Sequence, residues 1–408
     1  MLVLTSFFIR PELLFCLVFA CEGGYCPDGT PYIATGRKDT LAAQLCLCRL
    51  SAYRLFPGLF ADNYRYNAPC LPLFNEKGSG ILSDRLDCLQ QWTRSQLDWP
   101  DAELEPASAD ASFRRYFRVQ QGDVSYILMD APPEKEDCSP FIQVSRMLLA
   151  LGLHVPEILA SDLEQGFLLL SDLGTRLYLD ELNDSNADRM YGDALGALAT
   201  LQSCGPDSDL PRYDRKLLLF EMSLFSDWLL GTHLDLKLDE TENRNLQQSF
   251  DQLADNALEQ PQVCVHRDYH SRNLMLSARH NPGILDYQDA VIGPVTYDLV
   301  SLLRDCYISW PRQRVEDWAL GYFELAVQIG ILRPDQTNEQ QFLKWFDWMG
   351  VQRHLKAAGI FARLNHRDGK SDYMQDIPRT LGYVRDVCSR YSELAALGGI
   401  TETVIERL

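Results

Sequence analysis

One stretch in the second half of the chain constrains the fold most, because it fixes three polar side chains beside short strands. Residues 266–276 read HRDYHSRNLML, which is the pattern H-x-D-x-x-x-x-N set between two apolar stretches. An Asn-Pro-Gly turn follows at 281–283, and Ile284, Leu285 and Asp286 come next. Apolar runs this short, bounded by turn residues, indicate buried strands. We therefore expect Asp268, Asn273 and Asp286 to project from the ends of adjacent short strands.

This combination of side chains fits the requirements of phosphoryl transfer. One carboxylate accepts the proton of an attacking hydroxyl, and a carboxylate and an amide oxygen hold Mg²⁺ against the phosphates of ATP. The metal neutralises negative charge that would otherwise repel the nucleophile. Two alternatives remain open at this point. The alternating His266, Asp268 and His270 could ligate a transition metal, or the polar residues could simply cap surface turns.

The bulk composition excludes several classes of partner. The 408 residues carry a net charge of −19, so neither nucleic acid nor an anionic membrane surface is expected to bind. No run approaches the roughly 20 apolar residues that span a bilayer. Residues 1–20 superficially resemble a secretory signal, but Arg10, Pro11 and Glu12 interrupt them. The cysteines beyond residue 82 are scattered singly, which is typical of a reduced cytoplasmic protein.

The first 82 residues differ from the remainder of the chain. They hold seven Lys or Arg and six Asp or Glu, a balance of +1, so the remainder carries −20. They also contain half of the twelve cysteines and show no sustained helical or strand period. Ser83 is the predicted N-cap of the first helix. We expect residues 1–82 to be an atypical extension outside the functional domain, as a misplaced start codon would add.

Beyond residue 82 the pattern predicts a small sheet-bearing lobe over 83–174 and a larger helical lobe over 175–408. The strongest local signal is a hairpin, in which strands 115–119 and 124–129 flank a Gln-Gly-Asp turn. Gly231 is the predicted C-cap of a helix whose apolar face includes Leu218 and Leu229. The other elements are predicted as strands at 157–161 and 166–171 and helices at 141–151, 243–258, 296–305, 312–329, 339–363 and 376–396.

Residues 266–273 and 284–289 together resemble the aminoglycoside-phosphotransferase and choline-kinase superfamily, and residues 293–299 are similar to the segment that follows its metal-binding aspartate. Stretches 110–116, 129–134, 170–174 and 352–356 look like the bacterial anomeric kinases of N-acetylmuramate and N-acetylglucosamine. The resemblance covers roughly 83–408. It implies an α+β, bilobal protein-kinase-like fold with a β-rich N-lobe and a helical C-lobe.

The resemblance also implies roles for individual residues. Asp268 is the catalytic base, and Asn273 and Asp286 are the Mg²⁺ ligands. His266 and Asp298 are structural. The loop 109–115 covers the ATP phosphates, and the strand before Asp172 and Leu173 forms the adenine hinge. The nucleotide-binding set is then Ser112, Arg114, Arg115, Asp172 and Leu173.

One departure from the superfamily concerns the lysine that usually holds the α- and β-phosphates. Met129 stands about where that lysine belongs, and no glutamate lies at 143–147 to pair with it. Arg114, Arg115 and Arg118 are the nearest replacements, because guanidinium groups chelate phosphate. A nucleotide-binding pseudokinase is the alternative.

The acceptor pocket is expected between residues 266–273, called the catalytic loop below, and the helical lobe. In that lobe polar groups interrupt apolar helices. The predicted acceptor-binding residues are Glu221, Arg353, His354 and Arg363. This locally basic wall favours an acidic or neutral amino sugar over a cationic aminoglycoside. The expected partners are thus ATP, Mg²⁺ and a small amino sugar, and the protein is expected to be a monomer. Its expected role is to make sugar 1-phosphates for peptidoglycan recycling; a kinase of another small hydroxyl compound is the runner-up.

Overall fold

Alternating apolar residues over 115–130 build the centre of an antiparallel sheet. The computed structural model describes residues 80–109, 113–203 and 209–408. The predicted hairpin is confirmed, because Arg115 pairs with Asp130 and Gln121 with Val124, and Gly122 turns the chain with φ of 61°. The five strands lie in the order β1-β2-β3-β5-β4. Their bounds are β1 Glu105–Ala109, β2 Arg115–Gln121, β3 Val124–Asp130, β4 Ile158–Asp162 and β5 Phe167–Ser171.

Both faces of this sheet are covered, which explains why β5 is apolar without alternation. Helix α1 (Gly80–Leu97) buries Leu89 and Trp92 against the face that carries Phe167 and Leu169. The opposite face packs against helix α2 (Ser139–Ala150). Helix α1 starts three residues before Ser83, so the predicted N-cap is wrong and Ser83 lies inside the first turn.

Helices dominate the chain after β5. The α-helices are α3 Tyr178–Glu181, α4 Ala187–Gln202, α5 Arg215–Leu224, α6 Glu240–Glu259, α7 Tyr297–Leu303, α8 Arg312–Gln328, α9 Glu339–Asp368, α10 Ile377–Cys388 and α11 Ala395–Ile405. A π-helix, Phe225–His233, continues α5, and 3₁₀ turns cover Ser371–Asp376 and Ser392–Leu394. Four short strands lie among them: β6 Gln262–Val265, β7 Leu274–Met275, β8 Gly283–Ile284 and β9 Val291–Pro294. The predicted bilobal α+β fold is confirmed.

Helix α9 runs through the middle of the helical part. Its 30 residues are buried along most of their length, which is why its sequence shows no single apolar stripe. Gly359 allows the closest approach, because a Cβ there would lie 2.3 Å from the carbonyl carbon of Leu224. The helix thus passes directly against the junction of α5 and the π-helix. It also brings the polar residues Arg353 and Lys356 close to the catalytic loop.

Three predicted boundaries in the helical part are wrong. Helix α9 ends at Asp368, beyond its predicted end at residue 363. Gly231 does not end a helix, since it lies inside the π-helix, where backbone bonding shifts from i−4 to i−5. The helix predicted over 376–396 ends at Cys388, and a 3₁₀ turn separates it from α11. No helix in the described ranges combines the length and the hydropathy needed to cross a bilayer.

Candidate active site

The three polar residues of the central motif converge at the ends of three short strands. Asp268 follows β6, Asn273 directly precedes β7, and Asp286 follows β8. The side-chain nitrogen Nδ2 of Asn273 donates hydrogen bonds to Oδ2 of Asp286 at 3.3 Å and to the backbone oxygen of Asp268 at 3.0 Å. Pairing of β7 with β8 and the hydrogen bond from Leu285 N to Asn273 O (2.9 Å) hold the two ligand candidates side by side.

The backbone of the catalytic loop is anchored by the buried carboxylate of Asp298 at the start of α7. This carboxylate accepts hydrogen bonds from the backbone N–H of His266 (2.6 Å) and of Arg267 (2.9 Å). Burial raises the pKa of Asp298 to about 7, while the two N–H donors act in the opposite direction. Arg267 adopts φ of 77°, so the loop turns sharply just before Asp268.

His266 packs beneath the loop. Its side chain is buried, its ring lies edge-on to Tyr269, and the backbone N–H of Asp268 is 3.3 Å from its Nδ1. Burial lowers the pKa of His266 to about 4, so the imidazole is neutral at physiological pH. The contacts of His266 and Asp298 are those of residues that shape the loop.

Asp268 sits among positive charges. Burial alone would raise its pKa, but the surrounding groups outweigh that effect and hold the pKa of Asp268 below its ordinary value. Lys356 contributes most to this lowering, followed by His270, Arg353 and Arg267. Asp268 is therefore ionised at neutral pH and able to accept a hydrogen bond from a hydroxyl.

Glu221 is the centre of a buried network behind the loop. Its carboxylate binds Arg267 and, at 3.1 Å, Nζ of Lys356, and it accepts a hydrogen bond from the hydroxyl of Tyr213. Burial would raise the pKa of Glu221, but Lys356 and Arg267 keep it lowered. The residue is 2% exposed. Glu221 therefore ties α5 to the catalytic loop and to α9, and its contacts position two of the cations around Asp268.

We expect Glu221→Gln to lower the free energy of unfolding by about 3–5 kcal/mol, because it leaves Arg267 and Lys356 buried without their counter-ion. Chemical denaturation followed by tryptophan fluorescence measures the change. Glu402→Gln is the matched control, since its carboxylate is exposed and 3.8 Å from Arg385; there the change should stay below about 0.5 kcal/mol. Equal stability of the two variants would contradict a structural role for Glu221.

The other acceptor candidates lie on α9 and differ in their surroundings. Arg353 is 6% exposed and reaches Cys306 Sγ at 3.7 Å, and its charge acts on Asp268. His354 is fully buried, bonds the backbone oxygen of Arg304 at 2.8 Å and stacks on Tyr383. Arg363 lies ten residues beyond Arg353, nearly three turns further along the helix. Only Arg353 of these three α9 residues is close to the catalytic loop.

Of the three N-lobe arginines, Arg114 is the one whose pKa is affected by Asp286, a candidate metal ligand. Its Nε is 3.6 Å from Glu136. Burial alone would lower the pKa of this guanidinium, but nearby Tyr116, Glu136 and Asp286 raise it. The effect of Asp286 shows that Arg114 lies within electrostatic reach of a candidate metal ligand.

Arg115 and Arg118 are bound to carboxylates of the sheet. Nε of Arg115 donates to the fully buried Asp130 at 2.9 Å, and α1 contributes a second arginine to the same carboxylate. Nε of Arg118 donates to Asp172 at 2.6 Å. These two ion pairs brace the sheet and the turn after β5.

At the predicted hinge, Asp172 also accepts the backbone N–H of Gly174 at 2.8 Å, and Leu173 packs so closely on Gly283 that a Cβ there would meet it at 2.9 Å. The turn after β5 therefore rests on the strand that leads to Asp286. Ser112, the predicted phosphate donor, lies outside the described residues.

Glu136 is a site neighbour that sequence reasoning missed. Besides its contact with Arg114, it accepts the backbone N–H of Phe113 at 3.3 Å. It lies in the loop before α2, whereas the glutamate that pairs with the superfamily's lysine is expected inside that helix, at 143–147. The run Pro-Pro-Glu-Lys-Glu-Asp carries no periodicity, so only an inventory of every acidic residue between β3 and α2 could have found it.

The donor atoms at the site suit Mg²⁺. Asn273 and Asp286 offer hard oxygen ligands, and magnesium is commonly held by one or two such side chains together with phosphates and water. The alternative of a histidine-ligated metal has no support here. Within residues 80–109, 113–203 and 209–408, no three His, Cys, Asp or Glu side chains are grouped to hold an ion.

The bilobal fold, the anchored loop and the adjacent side chains of Asn273 and Asp286 define a phosphotransferase of the kinase-like class. Residues 103–334 match the Phosphotransferase enzyme family, and the chain belongs to that family. The resemblance seen in the sequence is thereby confirmed.

Named relatives agree with this assignment. The chain is 52% identical over 299 residues to the N-acetylmuramate/N-acetylglucosamine kinase of Pseudomonas aeruginosa, covering 73% of this chain and 88% of that protein. It is 43% identical over 314 residues to the protein of the same name from Neisseria meningitidis serogroup B, covering 76% and 92%.

Solved structures share the fold at much lower identity. A choline kinase from Streptococcus pneumoniae is similar with a TM-score of 0.52 at 13% identity, over 74% of this chain and 99% of that one. An ADP-bound aminoglycoside phosphotransferase, APH(2'')-Ib, is similar with a TM-score of 0.50 at 15% identity, over 72% and 96%. Identities this low establish the fold alone.

Proposed function

We propose that the protein transfers the γ-phosphoryl group of ATP to the anomeric hydroxyl of N-acetylmuramate or N-acetylglucosamine. The product would be a sugar 1-phosphate used in peptidoglycan recycling in the cytoplasm. The observation that carries the proposal is the convergence of Asp268, Asn273 and Asp286 in a chain 43–52% identical to proteins named N-acetylmuramate/N-acetylglucosamine kinase.

The roles of the site residues follow from their positions. Asp268, ionised among cations, accepts a hydrogen bond from the sugar hydroxyl, aligns its oxygen for attack and receives its proton. Asn273 and Asp286 would hold Mg²⁺, whose charge neutralises the triphosphate. Asp298 keeps the loop in place through the backbone of His266 and Arg267.

The assay that tests this function incubates the full chain with ATP, Mg²⁺ and a panel of N-acetylmuramate, N-acetylglucosamine, choline and an aminoglycoside. Release of ADP with an acid-labile sugar phosphate, identified by ³¹P NMR, is the expected result. If only choline or the aminoglycoside is phosphorylated, the acceptor is not an N-acetylated amino sugar and the proposal is wrong. Nucleotide binding without ADP release would indicate a pseudokinase.

Arg114 is the residue proposed to replace the missing lysine. Glu136 holds its guanidinium while Asp286 lies within electrostatic reach, so it stands where the α- and β-phosphates would approach the metal ligands. Arg115 and Arg118, also candidates from the sequence, are already engaged with Asp130 and Asp172.

We expect Arg114→Ala to raise the KM for ATP about 10- to 100-fold, the equivalent of one lost charge-assisted hydrogen bond. The KM for the sugar should change much less. Steady-state kinetics at varied ATP measures both values. Arg146→Ala, which removes an exposed arginine from α2, is the control; an unchanged KM for ATP in Arg114→Ala would exclude this residue from phosphate binding.

The domain boundaries also remain proposals. We infer that residues 83–174 form the nucleotide-binding lobe, that 175–408 form the catalytic and acceptor lobe, and that 1–82 lie outside the functional unit. The family match begins at residue 103, and the named relatives align over 299–342 residues. The active species is proposed to be a monomer, with ATP and an amino sugar as its partners.

A further inference from the structure

Arg272 lies in the catalytic loop immediately before Asn273, and its side chain points to the helical lobe. The guanidinium carbon is 3.7 Å from the ring centroid of Tyr307 and 5.5 Å from that of Tyr373. Stacking fixes the plane of a guanidinium and leaves its N–H edge available for bonding within that plane. In the described part of the chain, Arg272 makes neither a hydrogen bond nor an ion pair.

Asp305 and Asp376, two carboxylates on the same side of the loop as Arg272, make their hydrogen bonds with other donors. Asp305 accepts the backbone N–H and the hydroxyl of Ser271 at 2.9 and 2.5 Å. Asp376 binds Arg379 through Oδ1 at 2.9 Å, and Arg272 acts on this carboxylate through its charge without a hydrogen bond to it. The N–H edge of the Arg272 guanidinium is therefore available to a ligand.

A second arginine, Arg353, adds positive charge near Arg272. Arg353 of α9 lies on the same side of the loop, 6% exposed, and its nearest polar contact is the weak acceptor Cys306 Sγ. Burial is the main cause that lowers the pKa of His270, and the charges of Arg353 and Arg272 lower it further. The charges of both arginines therefore act on the same imidazole, two residues from Asp268.

The direction of Arg272 separates it from the nucleotide. The side chain of its neighbour, Asn273, points to Asp286 on the metal-ligand side, whereas Arg272 stacks on aromatic rings that follow α7 and α9. A ligand group bound by Arg272 would thus belong to the acceptor, whose reacting hydroxyl lies beside Asp268.

We propose that Arg272 binds the carboxylate of an acidic amino sugar, with Arg353 as supporting charge, and so allows the site to use N-acetylmuramate. The two sugars differ in one respect that concerns this residue: N-acetylmuramate carries a lactyl carboxylate and N-acetylglucosamine does not. The proposal rests on the proposed function and adds the residue that distinguishes the two acceptors. A guanidinium suits a carboxylate because two parallel N–H groups match its two oxygens.

The test compares Arg272→Gln and Arg272→Lys with the unmodified full chain, using N-acetylmuramate, its methyl ester and N-acetylglucosamine. In Arg272→Gln we expect kcat/KM for N-acetylmuramate to fall about 10- to 100-fold, the value of one charge-assisted hydrogen bond. The ester and N-acetylglucosamine should change by less than about threefold, and Arg272→Lys should fall in between. Arg385→Gln, an exposed arginine of α10, is the control.

The possible outcomes distinguish the role of Arg272 from the proposed sugar kinase activity. An equal loss for all three sugars would overturn the inference, because Arg272 would then merely position the loop, and no loss for N-acetylmuramate would also overturn it. If the unmodified chain phosphorylates none of the sugars, the proposed function fails and the inference fails with it. Selective loss with the charged sugar supports both.

Discussion

Replacing Asp268 by Asn is expected to lower kcat by about 10²- to 10⁴-fold while nucleotide binding stays unchanged. The amide has nearly the shape of the carboxylate, but it cannot receive the proton of the attacking hydroxyl. The backbone oxygen of Asp268, which accepts the hydrogen bond from Asn273, is untouched by the substitution. The loss should therefore appear in kcat rather than in the affinity for ATP.

Rapid-quench measurement of a single turnover gives the rate of the chemical step in this variant, and titration with a fluorescent ATP analogue gives the affinity. Asp289→Asn supplies the control, since it removes an exposed carboxylate three residues after Asp286. A near-normal rate in Asp268→Asn would remove this residue from the role of base, even if the sugar kinase activity itself is correct.

Substitution of Asp286 should have the second large effect. Asp286→Ala is expected to abolish Mg²⁺-dependent turnover, because one of two candidate protein ligands is lost. Asp286 has φ of 62°, a left-handed conformation that Asn adopts more readily than Ala. Asp286→Asn therefore keeps the backbone relaxed while it removes the charge, and it should also be inactive at ordinary Mg²⁺ concentrations.

Turnover measured against Mg²⁺ and Mn²⁺ concentration distinguishes a metal ligand from a folding residue. Partial recovery of Asp286→Asn at high metal concentration would support ligation, and unchanged thermal unfolding of the variant would exclude misfolding. Full activity of Asp286→Asn at ordinary Mg²⁺ would contradict the assignment.

Local patterns predicted the parts of this molecule that depend on neighbours in sequence. The hairpin around Gly122 and the short strands flanking Asn273 follow from alternation and turn residues within about fifteen positions. The convergence of Asp268, Asn273 and Asp286 also came from local spacing, because all three lie between residues 268 and 286 and next to three successive short strands or their turns.

Contacts between distant segments were beyond the same reasoning. Glu221 is predicted from the sequence to bind the acceptor, but the sequence did not predict its contacts with Arg267, 46 positions along the chain, and with Lys356. A single acidic residue on an apolar helix gives no indication of which cation it will meet. The π-helix that contains Gly231 likewise has no counterpart in the sequence period, and neither has the close approach of Gly359 to Phe225, where the π-helix begins.

The ion pair between Arg267 and Glu221 has a consequence for control of the enzyme. In many regulated protein kinases the catalytic segments become ordered when an arginine meets a newly attached phosphate. Here the negative partner of the loop arginine is encoded in α5 and is present as soon as the chain folds. The loop arginine therefore has its counter-ion from the fold itself, and no attached phosphate is needed to supply one.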